Sequence, residues 1–325
     1  MQPRRVLLTG GAGLIGSTIA DLLTQQPDLE KIVVFDNFSR GTMDNLADAV
    51  CDPRLHVVQG DVLDLDAVDD VTRGIDAIFH LPAIRITQCA LEPRLANDIL
   101  VNGTFNVLEA AARHNVGRII ASSSASVYGL AEEFPTTERH HPYNNDTLYG
   151  AAKAYNEGML RSFKAMYDLD YVAFRYFNVY GPRMDTAGKY TEVFIRWMTA
   201  IEKGEAPVIH GDGSTTMDFV YVGDIARANV AGLYSNATDH VFNIGTGVET
   251  SLADLARTII KVMGSDVEPI FEPARTVGGV TRRKADISKA ERLLGFHADT
   301  SFEDGVRKLV AWWRANKQSE AIAGV

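Results

Sequence analysis

Short apolar segments alternate with longer segments of helical periodicity through the first half of the chain. The apolar segments are rich in Val, Ile and Phe and lack strict alternation, which is typical of strands buried on both faces of a sheet. On this pattern we predict strands at Arg5–Thr9, Lys31–Phe35, Leu55–Gln59, Ala77–Leu81, Arg118–Ser122 and Tyr171–Arg175.

The segments between these strands carry apolar residues at spacings of three and four, as helices packed on a sheet do. Helices are predicted at Leu14–Gln25, Leu95–His114 and Tyr149–Tyr167. Strands and helices that alternate in this way indicate an α/β fold with a doubly wound parallel sheet.

The pattern changes after Val179, where Tyr180-Gly181-Pro182-Arg183 is a turn signal. The elements predicted beyond it are mixed: a helix at Lys189–Lys203, a strand near Val208, a short segment at Met217–Val222, and helices at Asp224–Tyr234, Ser251–Met263 and Phe302–Asn316. We therefore divide the chain into a sheet domain of residues 1–179, to which some later segments return, and a smaller region of residues 180–325. A cleft is expected between them, where the strands end.

Charge and cysteine content narrow the possible functions. The net charge of −10 opposes binding to nucleic acid, so any anionic ligand must be met by local positive groups. The apolar run at the N-terminus is too short and glycine-broken for a signal peptide or a membrane span, and we expect a cytoplasmic protein without a membrane partner. Cys51 and Cys89 form neither a metal spacing nor a disulfide framework.

A glycine-rich loop follows the first strand. Gly10, Gly13 and Gly16 have the spacing of a dinucleotide-binding turn: the first permits the turn, the second lets the backbone approach a pyrophosphate, and the third lets the helix pack on the sheet. Leu14 and Ile15 belong to the same predicted site. Taken alone, such a loop is also compatible with an ordinary turn.

Asp36 ends the second strand, 20 residues after Gly16. Its carboxylate would accept hydrogen bonds from the adenosine ribose and repel a 2′-phosphate, which favours NAD over NADP. The alternative is a helix cap or a turn residue. The remaining residues assigned to this end of the cofactor are Asn37, Asp61 and Val62.

Tyr149 and Lys153 lie one helical turn apart and share a face. A lysine so placed would lower the pKa of the tyrosine, which then serves as a base near neutral pH. The lysine can also bond the nicotinamide ribose. Because both residue types are common on exposed helix faces, the pair alone does not establish a site.

A serine-rich segment, Ser122–Gly129, ends the fifth strand, where ligands bind in doubly wound folds. A hydroxyl there can orient a substrate alcohol and stabilise a developing alkoxide; the alternative is a serine-rich turn. No nucleophile-elbow motif supports a serine hydrolase. His80 and the pair His140-His141 lack a zinc spacing, so no metal site is predicted.

Taken together, these segments resemble the extended short-chain dehydrogenase/reductases, in particular the NAD-dependent nucleotide-sugar epimerase/dehydratase group. The resemblance runs in order along nearly the whole chain. Its segments are TGGAGLIGS (Thr9–Ser17), FDNFSRG (Phe35–Gly41), GDV (Gly60–Val62), HLPA (His80–Ala83), SSSASVYG (Ser122–Gly129), YGAAK (Tyr149–Lys153), RYFNVYGPR (Arg175–Arg183), MDFVYVGDIA (Met217–Ala226), FNIGTG (Phe242–Gly247) and ADISKAERLLGF (Ala285–Phe296).

The resemblance implies a Rossmann fold with bound NAD and roles for individual residues. Tyr149 would take the proton of the sugar hydroxyl, Lys153 would tune it and hold the nicotinamide ribose, and Ser124 would bond the reacting hydroxyl. Further cofactor contacts are implied at Leu81, Ala83, Ser122 and Tyr176. Substrate contacts, several of them to the diphosphate, are implied at Arg85, Ser126, Asn178, Val193 and Arg282.

The resemblance also separates reaction types. Dehydratases of the group carry Thr-Asp-Glu where this chain reads Ser124-Ala125-Ser126, so the acid and base for elimination are missing. A 4-epimerase acting on a UDP-hexose or UDP-uronic acid fits better. A decarboxylase, dehydratase or reductase of the same fold is the alternative, and a non-catalytic NAD-binding regulatory protein is the alternative from another class.

Two residues depart from the group's pattern. Pro82 removes a backbone donor beside the cofactor. Met217 stands where the group usually has an arginine that binds the diphosphate, and Arg282 and Arg283 either replace that charge or form a solvated pair.

Members of the group commonly form homodimers through a four-helix bundle, which the predicted helices Leu95–His114 and Tyr149–Tyr167 would supply here. Both have apolar residues on more than one face, although packing in the core gives the same pattern. Substrate choice would depend on Ile84, Arg85, Ser126, Tyr176 and Lys189–Phe194.

Overall fold

Seven parallel strands form the central sheet of the computed structural model, which describes residues 2–186, 192–274 and 279–323. The order across the sheet is β11-β6-β5-β4-β1-β2-β3. These strands are β1 (Arg5–Thr9), β2 (Lys31–Asp36), β3 (Leu55–Gln59), β4 (Ala77–His80), β5 (Arg118–Ser124), β6 (Asp170–Tyr176) and β11 (His240–Ile244). The predicted doubly wound parallel sheet is confirmed.

Within the described ranges, six short strands lie outside the central sheet and pair two by two, β10 with β7, β12 with β9, and β13 with β8. They are β7 (Asn178–Tyr180), β8 (Val208–His210), β9 (Thr216–Met217), β10 (Phe219–Tyr221), β12 (Thr250–Ser251) and β13 (Ile270–Glu272).

The helices cover both faces of the central sheet and build the C-terminal region. They are α1 (Leu14–Thr24), α2 (Leu65–Thr72), α3 (Ile86–Leu91), α4 (Pro93–Asn97), α5 (Gly103–Arg113), α6 (Leu148–Tyr167), α7 (Val193–Glu202), α8 (Val222–Tyr234), α9 (Leu252–Met263), α10 (Ser288–Leu294) and α11 (Phe302–Ala323). None of the helices described has the length and apolarity needed to cross a membrane.

Both faces of the sheet are buried along β1, β2 and β4, which explains the continuous apolar residues of these strands, whereas the edge strand β3 is largely exposed. Val6 and Leu8 of β1 pack in one apolar layer with Ile19 of α1, whereas Leu7 packs in the opposite layer with Leu160 of α6. Successive side chains of a strand point to opposite faces, so a strand covered twice has no polar face to alternate with.

The predicted helix Leu95–His114 is interrupted in the structure. A π-helical segment, Asp98–Asn102, separates α4 from α5. The side-chain amide of Asn156 on α6 donates to the carbonyl oxygen of Leu100 at 2.9 Å, and the hydroxyl of Thr104 donates to the same oxygen at 2.7 Å. A side chain inserted from a neighbouring helix is a known cause of such a bulge.

The C-terminal region has an apolar core of its own and also completes the first sheet. The rings of Tyr180 and Phe194 stack at 4.9 Å, and Phe194 meets Phe219 edge-on at 5.3 Å. In contrast, β11 pairs with β6 at the edge of the central sheet, and α8 packs against α1. The predicted helix Lys189–Lys203 begins at Val193, and residues 187–191 lie outside the described part of the chain.

Candidate active site

A cleft of about 660 Å³ lies where β1, β2, β3 and β4 end. Its opposite wall comes from the C-terminal region, through Arg183, Met184, Asp185, Glu192 and Trp312. The predicted site residues that line it are Gly10, Gly13, Leu14, Ile15, Gly16, Asp36, Asn37, Asp61, Val62, Leu81, Ala83 and Arg85. The predicted cofactor loop therefore forms one end of a shared cleft.

The glycine-rich loop holds its glycines for steric reasons. Gly10 has φ of +69°, and a Cβ there would lie 3.0 Å from the backbone nitrogen of Pro82. A Cβ on Gly16 would come within 2.6 Å of the Gly10 carbonyl oxygen. Gly13 precedes α1 and makes no side-chain cap, so the first N–H groups of the helix remain available to an anion.

Asp36 lines the cleft and also stabilises the turn beside it. Its carboxylate is buried and accepts hydrogen bonds from the backbone N–H of Ala12 at 2.9 Å and of Phe38 at 2.8 Å. Asp36 therefore acts as a turn residue, and its contact with the adenosine ribose stays a prediction. Beyond it, the side-chain amide of Asn37 donates to the Asp61 carboxylate at 2.8 Å, at the end of the cleft that is predicted to hold the adenosine.

The Ser/Tyr/Lys residues lie close together beside the cleft. Thr147 caps α6 by accepting a hydrogen bond from the N–H of Gly150 at 3.1 Å, which begins the helix just before Tyr149. The Ser124 hydroxyl lies near the Tyr149 hydroxyl and lowers the pKa of Tyr149. Tyr149 packs on the apolar cluster that contains Ile84, a lining residue of the cleft, so Tyr149 adjoins the cavity.

Burial dominates the titration of Tyr149 and Lys153. It raises the pKa of Tyr149 to about 12, against the neighbouring Ser124 hydroxyl and the positive charge of Arg40, which lower it. It lowers the pKa of Lys153 to about 8, against the negative charge of Glu157, which raises it. Arg40 therefore favours the Tyr149 phenolate, and the expected effect of Lys153 on the pKa of Tyr149 stays a prediction.

The Lys153 ammonium is anchored at the end of β5. Its Nζ donates to the carbonyl oxygen of Ser122 at 2.7 Å and lies 5.9 Å from the centre of the Tyr149 ring. The backbone carbonyl of the predicted residue Ser122 therefore positions Lys153 beside Tyr149.

Three arginines of the described residues line the cleft, and two of them are held by carboxylates. Arg85 pairs with Asp185 at 2.7 Å across the cleft. Arg183, with φ of +73°, pairs with Asp21 of α1 at 2.6 Å. Arg40 is the third. Neither Arg40 nor Arg183 is predicted from the sequence as a site residue, although both follow closely on strand ends, where ligands of doubly wound folds bind.

Several predicted contacts lie away from this cavity. The Tyr176 hydroxyl donates to Asn229 at 2.9 Å inside the core, Val193 begins α7, and the backbone N–H of Asn178 donates to Asp218. The N–H of Ser126 donates to the Ser124 hydroxyl oxygen at 3.1 Å, so Ser126 shapes the loop around the reacting serine.

Arg282 does not reach the cavity. It forms a bidentate pair with Glu249, at 2.7 and 2.8 Å, and stacks over the ring of Phe134 at 4.5 Å. Arg283 is buried and donates to the carbonyl oxygen of Ala125 at 2.7 Å. The two arginines therefore form neither a solvated pair nor a replacement for the charge missing at Met217, because protein groups already hold both.

A buried ionic cluster lies behind the serine-rich segment. Glu157 of α6 binds Arg175 in two hydrogen bonds, from Nε at 2.9 Å and from Nη2 at 2.6 Å. The Ser123 hydroxyl donates to Glu157 at 2.5 Å. Arg175 also donates to the hydroxyl of Tyr128 at 3.0 Å, and that hydroxyl donates to Asn243 of β11 at 2.5 Å. The cluster joins β5, β6, β11 and α6.

A buried neutral cluster lies on the other side of α6, around His80. Its Nδ1 is 2.9 Å from the Thr9 hydroxyl and its Nε2 is 2.9 Å from the Thr104 hydroxyl. The Thr104 hydroxyl donates its proton to the Leu100 carbonyl oxygen, so it can only accept from His80. Nε2 of His80 therefore carries the imidazole proton, and Nδ1 accepts a hydrogen bond from the Thr9 hydroxyl. Burial and the charge of Lys153 lower the pKa of His80 to about 3.

Comparison with known proteins assigns this architecture to a family. The sequence profile of the NAD dependent epimerase/dehydratase family matches residues 6–245. The match contains the glycine-rich loop, the serine-rich segment and the Tyr149/Lys153 pair.

Relatives of known activity cover nearly the whole chain. A UDP-glucose 4-epimerase of Mycolicibacterium smegmatis is 35% identical over 317 residues, which are 97% of this chain and 100% of the relative. A dTDP-glucose 4,6-dehydratase of an Actinoplanes species is 30% identical over 96% of this chain and 98% of the relative. The solved UDP-N-acetylglucosamine 4-epimerase of Methanobrevibacter ruminantium M1, in complex with UDP-N-acetylmuramic acid, superposes with a TM-score of 0.90 at 34% identity, covering 97% of this chain and 100% of that one.

Proposed function

The chain belongs to the NAD dependent epimerase/dehydratase family, and on that premise we propose that it is a nucleotide-sugar 4-epimerase acting on a UDP-hexose or a UDP-uronic acid. The observation that carries the proposal is the neighbouring pair of Tyr149 and Ser124 side chains beside a cleft that fits a dinucleotide.

The residues at the outer end fit NAD. Gly10 leaves no room for a side chain, the start of α1 is uncapped beside Gly13, and the Asp36 carboxylate would repel a 2′-phosphate. Bound there, NAD supplies a hydride acceptor and, once the sugar is oxidised, a hydride donor. Lys153 is the residue we assign to the nicotinamide ribose.

Residues of the protein orient the sugar and transfer the proton. The Ser124 hydroxyl orients the sugar 4-hydroxyl, and Tyr149 accepts its proton as the hydride leaves C4. Because burial keeps Tyr149 protonated in the unliganded protein, the phenolate must be stabilised when substrate binds, by Ser124 and Arg40. Tyr149 then returns the proton as the hydride returns to the other face of the 4-keto sugar.

The serine-rich segment lacks the acid and base that an elimination reaction needs. Ala125 and Ser126 follow Ser124, so neither a carboxylic acid nor a carboxylate is offered where the family's dehydratases carry both. Decarboxylation and net reduction remain as alternatives, and they differ from epimerisation in their products.

We also propose that the protein is a homodimer. The outer faces of α5 and α6 carry large exposed apolar side chains, among them Phe105, Tyr155, Met166 and Tyr167, and the two helices contact each other. An apolar face of this kind is typical of a subunit interface. Introducing a charge by Phe105→Glu should give a monomer in analytical ultracentrifugation, with Val248→Glu, at an exposed position outside these helices, as the control.

We propose a cytoplasmic location as well. Cys51 and Cys89 are both free thiols, as is usual in a reducing compartment. Cell fractionation with a tagged chain would contradict this if the protein were recovered outside the cytoplasm.

Proton NMR in deuterated buffer tests the activity directly, with the NAD-loaded protein and UDP-glucose or UDP-glucuronic acid as substrate. A new C4 epimer without deuterium at C5 is expected. Deuterium at C5 would assign a dehydratase, loss of carbon dioxide would assign a decarboxylase, and accumulation of NADH in proportion to product would assign a dehydrogenase.

The role of Tyr149 is tested by Tyr149→Phe, with Tyr143→Phe at an exposed position as the matched control. Loss of the acid–base group should lower kcat by about a hundredfold to ten-thousandfold while NAD remains bound. A fully active Tyr149→Phe protein would contradict the mechanism.

A further inference from the structure

Arg40 differs from the other two arginines of the cleft. Arg85 and Arg183 each have a carboxylate within 2.7 Å, whereas Arg40 forms no ion pair with any residue of the described ranges. The side chain is exposed and lines the cleft. An arginine that faces a cleft without a counter-ion is available to an anionic ligand.

The backbone of Arg40 is fixed against the glycine-rich loop. A Cβ on the next residue, Gly41, would lie 2.6 Å from the backbone carbon of Ala12, so the two loops touch. The side-chain amide of Asn45 donates to the Ala12 carbonyl at 2.9 Å and holds the same contact. Arg40 therefore extends from a well-defined point above the loop.

Arg40 and Arg85 line the same cleft, together with Asp185 and Glu192 of the C-terminal wall. The loss of hydration in the cleft and the positive charge of Arg85 lower the pKa of Arg40, and the charges of Asp185, Glu192 and Tyr149 act in the opposite direction. The two positive charges repel each other, and an anion bound between them would relieve that repulsion.

We infer that Arg40 binds an oxyanion of the nucleotide-sugar substrate, held between Arg40 and Arg85 close to Tyr149. This inference rests on the proposed function. The oxyanion is a phosphoryl oxygen of the diphosphate or the carboxylate of a uronic acid, and both present the paired oxygens that a guanidinium binds in two hydrogen bonds. Arg40 thereby takes over charge recognition that Met217 and Arg282 do not provide.

The binding experiment uses the NAD-loaded protein and calorimetric titration with UDP-glucose and with UDP-glucuronic acid. Loss of a charge-assisted hydrogen bond in Arg40→Gln should raise Kd by about tenfold to a hundredfold. Arg40→Lys should recover part of the affinity. Arg257→Gln makes the same charge change at an exposed site on α9 and should bind like the wild type.

The two substrates distinguish the two sources of the oxyanion. An equal rise in Kd for both sugars assigns the phosphoryl oxygen, and a rise confined to UDP-glucuronic acid assigns the carboxylate. Unchanged affinity of Arg40→Gln for both sugars would overturn the inference. So would a defect that saturating NAD removes, because Arg40 would then serve the cofactor.

The NMR assay separates this inference from the proposed function. The wild type could bind the nucleotide sugar in a way that depends on Arg40 and yet not epimerise the sugar. That result would contradict the epimerase proposal and support the role of Arg40 in binding. A wild-type protein that epimerises while Arg40→Gln binds and turns over normally would remove only the Arg40 inference. Failure of the wild type to bind either sugar would overturn both.

Discussion

Two buried polar clusters flank Lys153, and they differ in charge. Asn156 and Glu157 are consecutive residues of α6, and each reaches one of them: Asn156 bonds Thr104 in the neutral cluster of His80, and Glu157 holds Arg175 in the ionic cluster. Lys153 lowers the pKa of His80, while Glu157 raises that of Lys153.

The difference shows that one helix, α6, takes part in two buried clusters whose loss should cost different amounts of free energy. A neutral hydrogen bond that loses one partner leaves a polar group, whereas an ion pair that loses one partner leaves a buried charge. The ionic cluster supports the serine-rich segment, and the neutral cluster supports β1 and β4, next to the glycine-rich loop. We therefore expect substitutions in the two clusters to differ in size and in pH dependence.

The largest expected effect comes from Arg175→Met, which leaves Glu157 buried without its partner. Burial opposes the charge of Arg175, but the hydrogen bonds and charge of Glu157 outweigh it and raise the pKa of the arginine. The free energy of unfolding should fall by about 3–5 kcal/mol, measured by urea denaturation. The double variant Arg175→Met/Glu157→Leu should lose less than the single one; an equal or greater loss would mean that packing, and not the unpaired charge, is responsible.

A smaller effect is expected from His80→Leu in the neutral cluster. The hydroxyls of Thr9 and Thr104 lose their bonds to the imidazole, but Thr104 still donates to Leu100. The unfolding free energy should fall by about 1–3 kcal/mol in the same urea titration. A loss as large as that of Arg175→Met would erase the distinction between the clusters.

The neutral cluster also makes stability depend on pH. Since the pKa of His80 is lowered from 6.5 to about 3, the unfolded chain binds a proton at a pH where the folded chain does not. The stabilisation is complete well above the unfolded pKa of 6.5 and is lost as the pH falls towards 3, by about 1.4 kcal/mol between pH 7.5 and 5.5. The wild type should show this additional slope relative to His80→Leu, and parallel pH profiles would show that His80 does not titrate as described.

The smallest effect is expected at an exposed ion pair, which serves as the surface comparison for the two buried clusters. Arg257 pairs with Asp254 at 3.1 Å on α9, with both side chains more than half exposed. Arg257→Gln should change the unfolding free energy by less than about 0.5 kcal/mol, because water and salt screen the pair. A thermal melt with a shift of several degrees would show that exposure is a poor guide to ion-pair strength here.

The sequence predicted the parts of the site whose cause is local. Gly10, Gly13 and Gly16 are required by one turn, and Tyr149 and Lys153 share a face because they lie one helical turn apart. Likewise, the six predicted strands follow from the apolar pattern of a sheet covered on both faces.

Other features depend on partners far along the chain, and no local pattern indicates them. The π-helical segment within the predicted helix Leu95–His114 depends on Asn156, and the diversion of Arg282 from the cleft depends on Glu249. Arg40 lies in a segment that carries the family resemblance, but the sequence does not distinguish it from Arg85 and Arg183. Only the structure shows that the other two arginines are paired with carboxylates.

Arg183 ties the two walls of the cleft together. Its guanidinium joins the C-terminal wall to Asp21 on the helix that begins at the glycine-rich loop, and its backbone holds a left-handed conformation that is uncommon outside glycine. A separation of the two walls would break this pair, so we expect the pair to lengthen the residence time of a bound dinucleotide more than it raises the equilibrium affinity. For an enzyme that regenerates its oxidised cofactor at each turnover, slow release is no handicap, and NAD would then behave as a permanent prosthetic group.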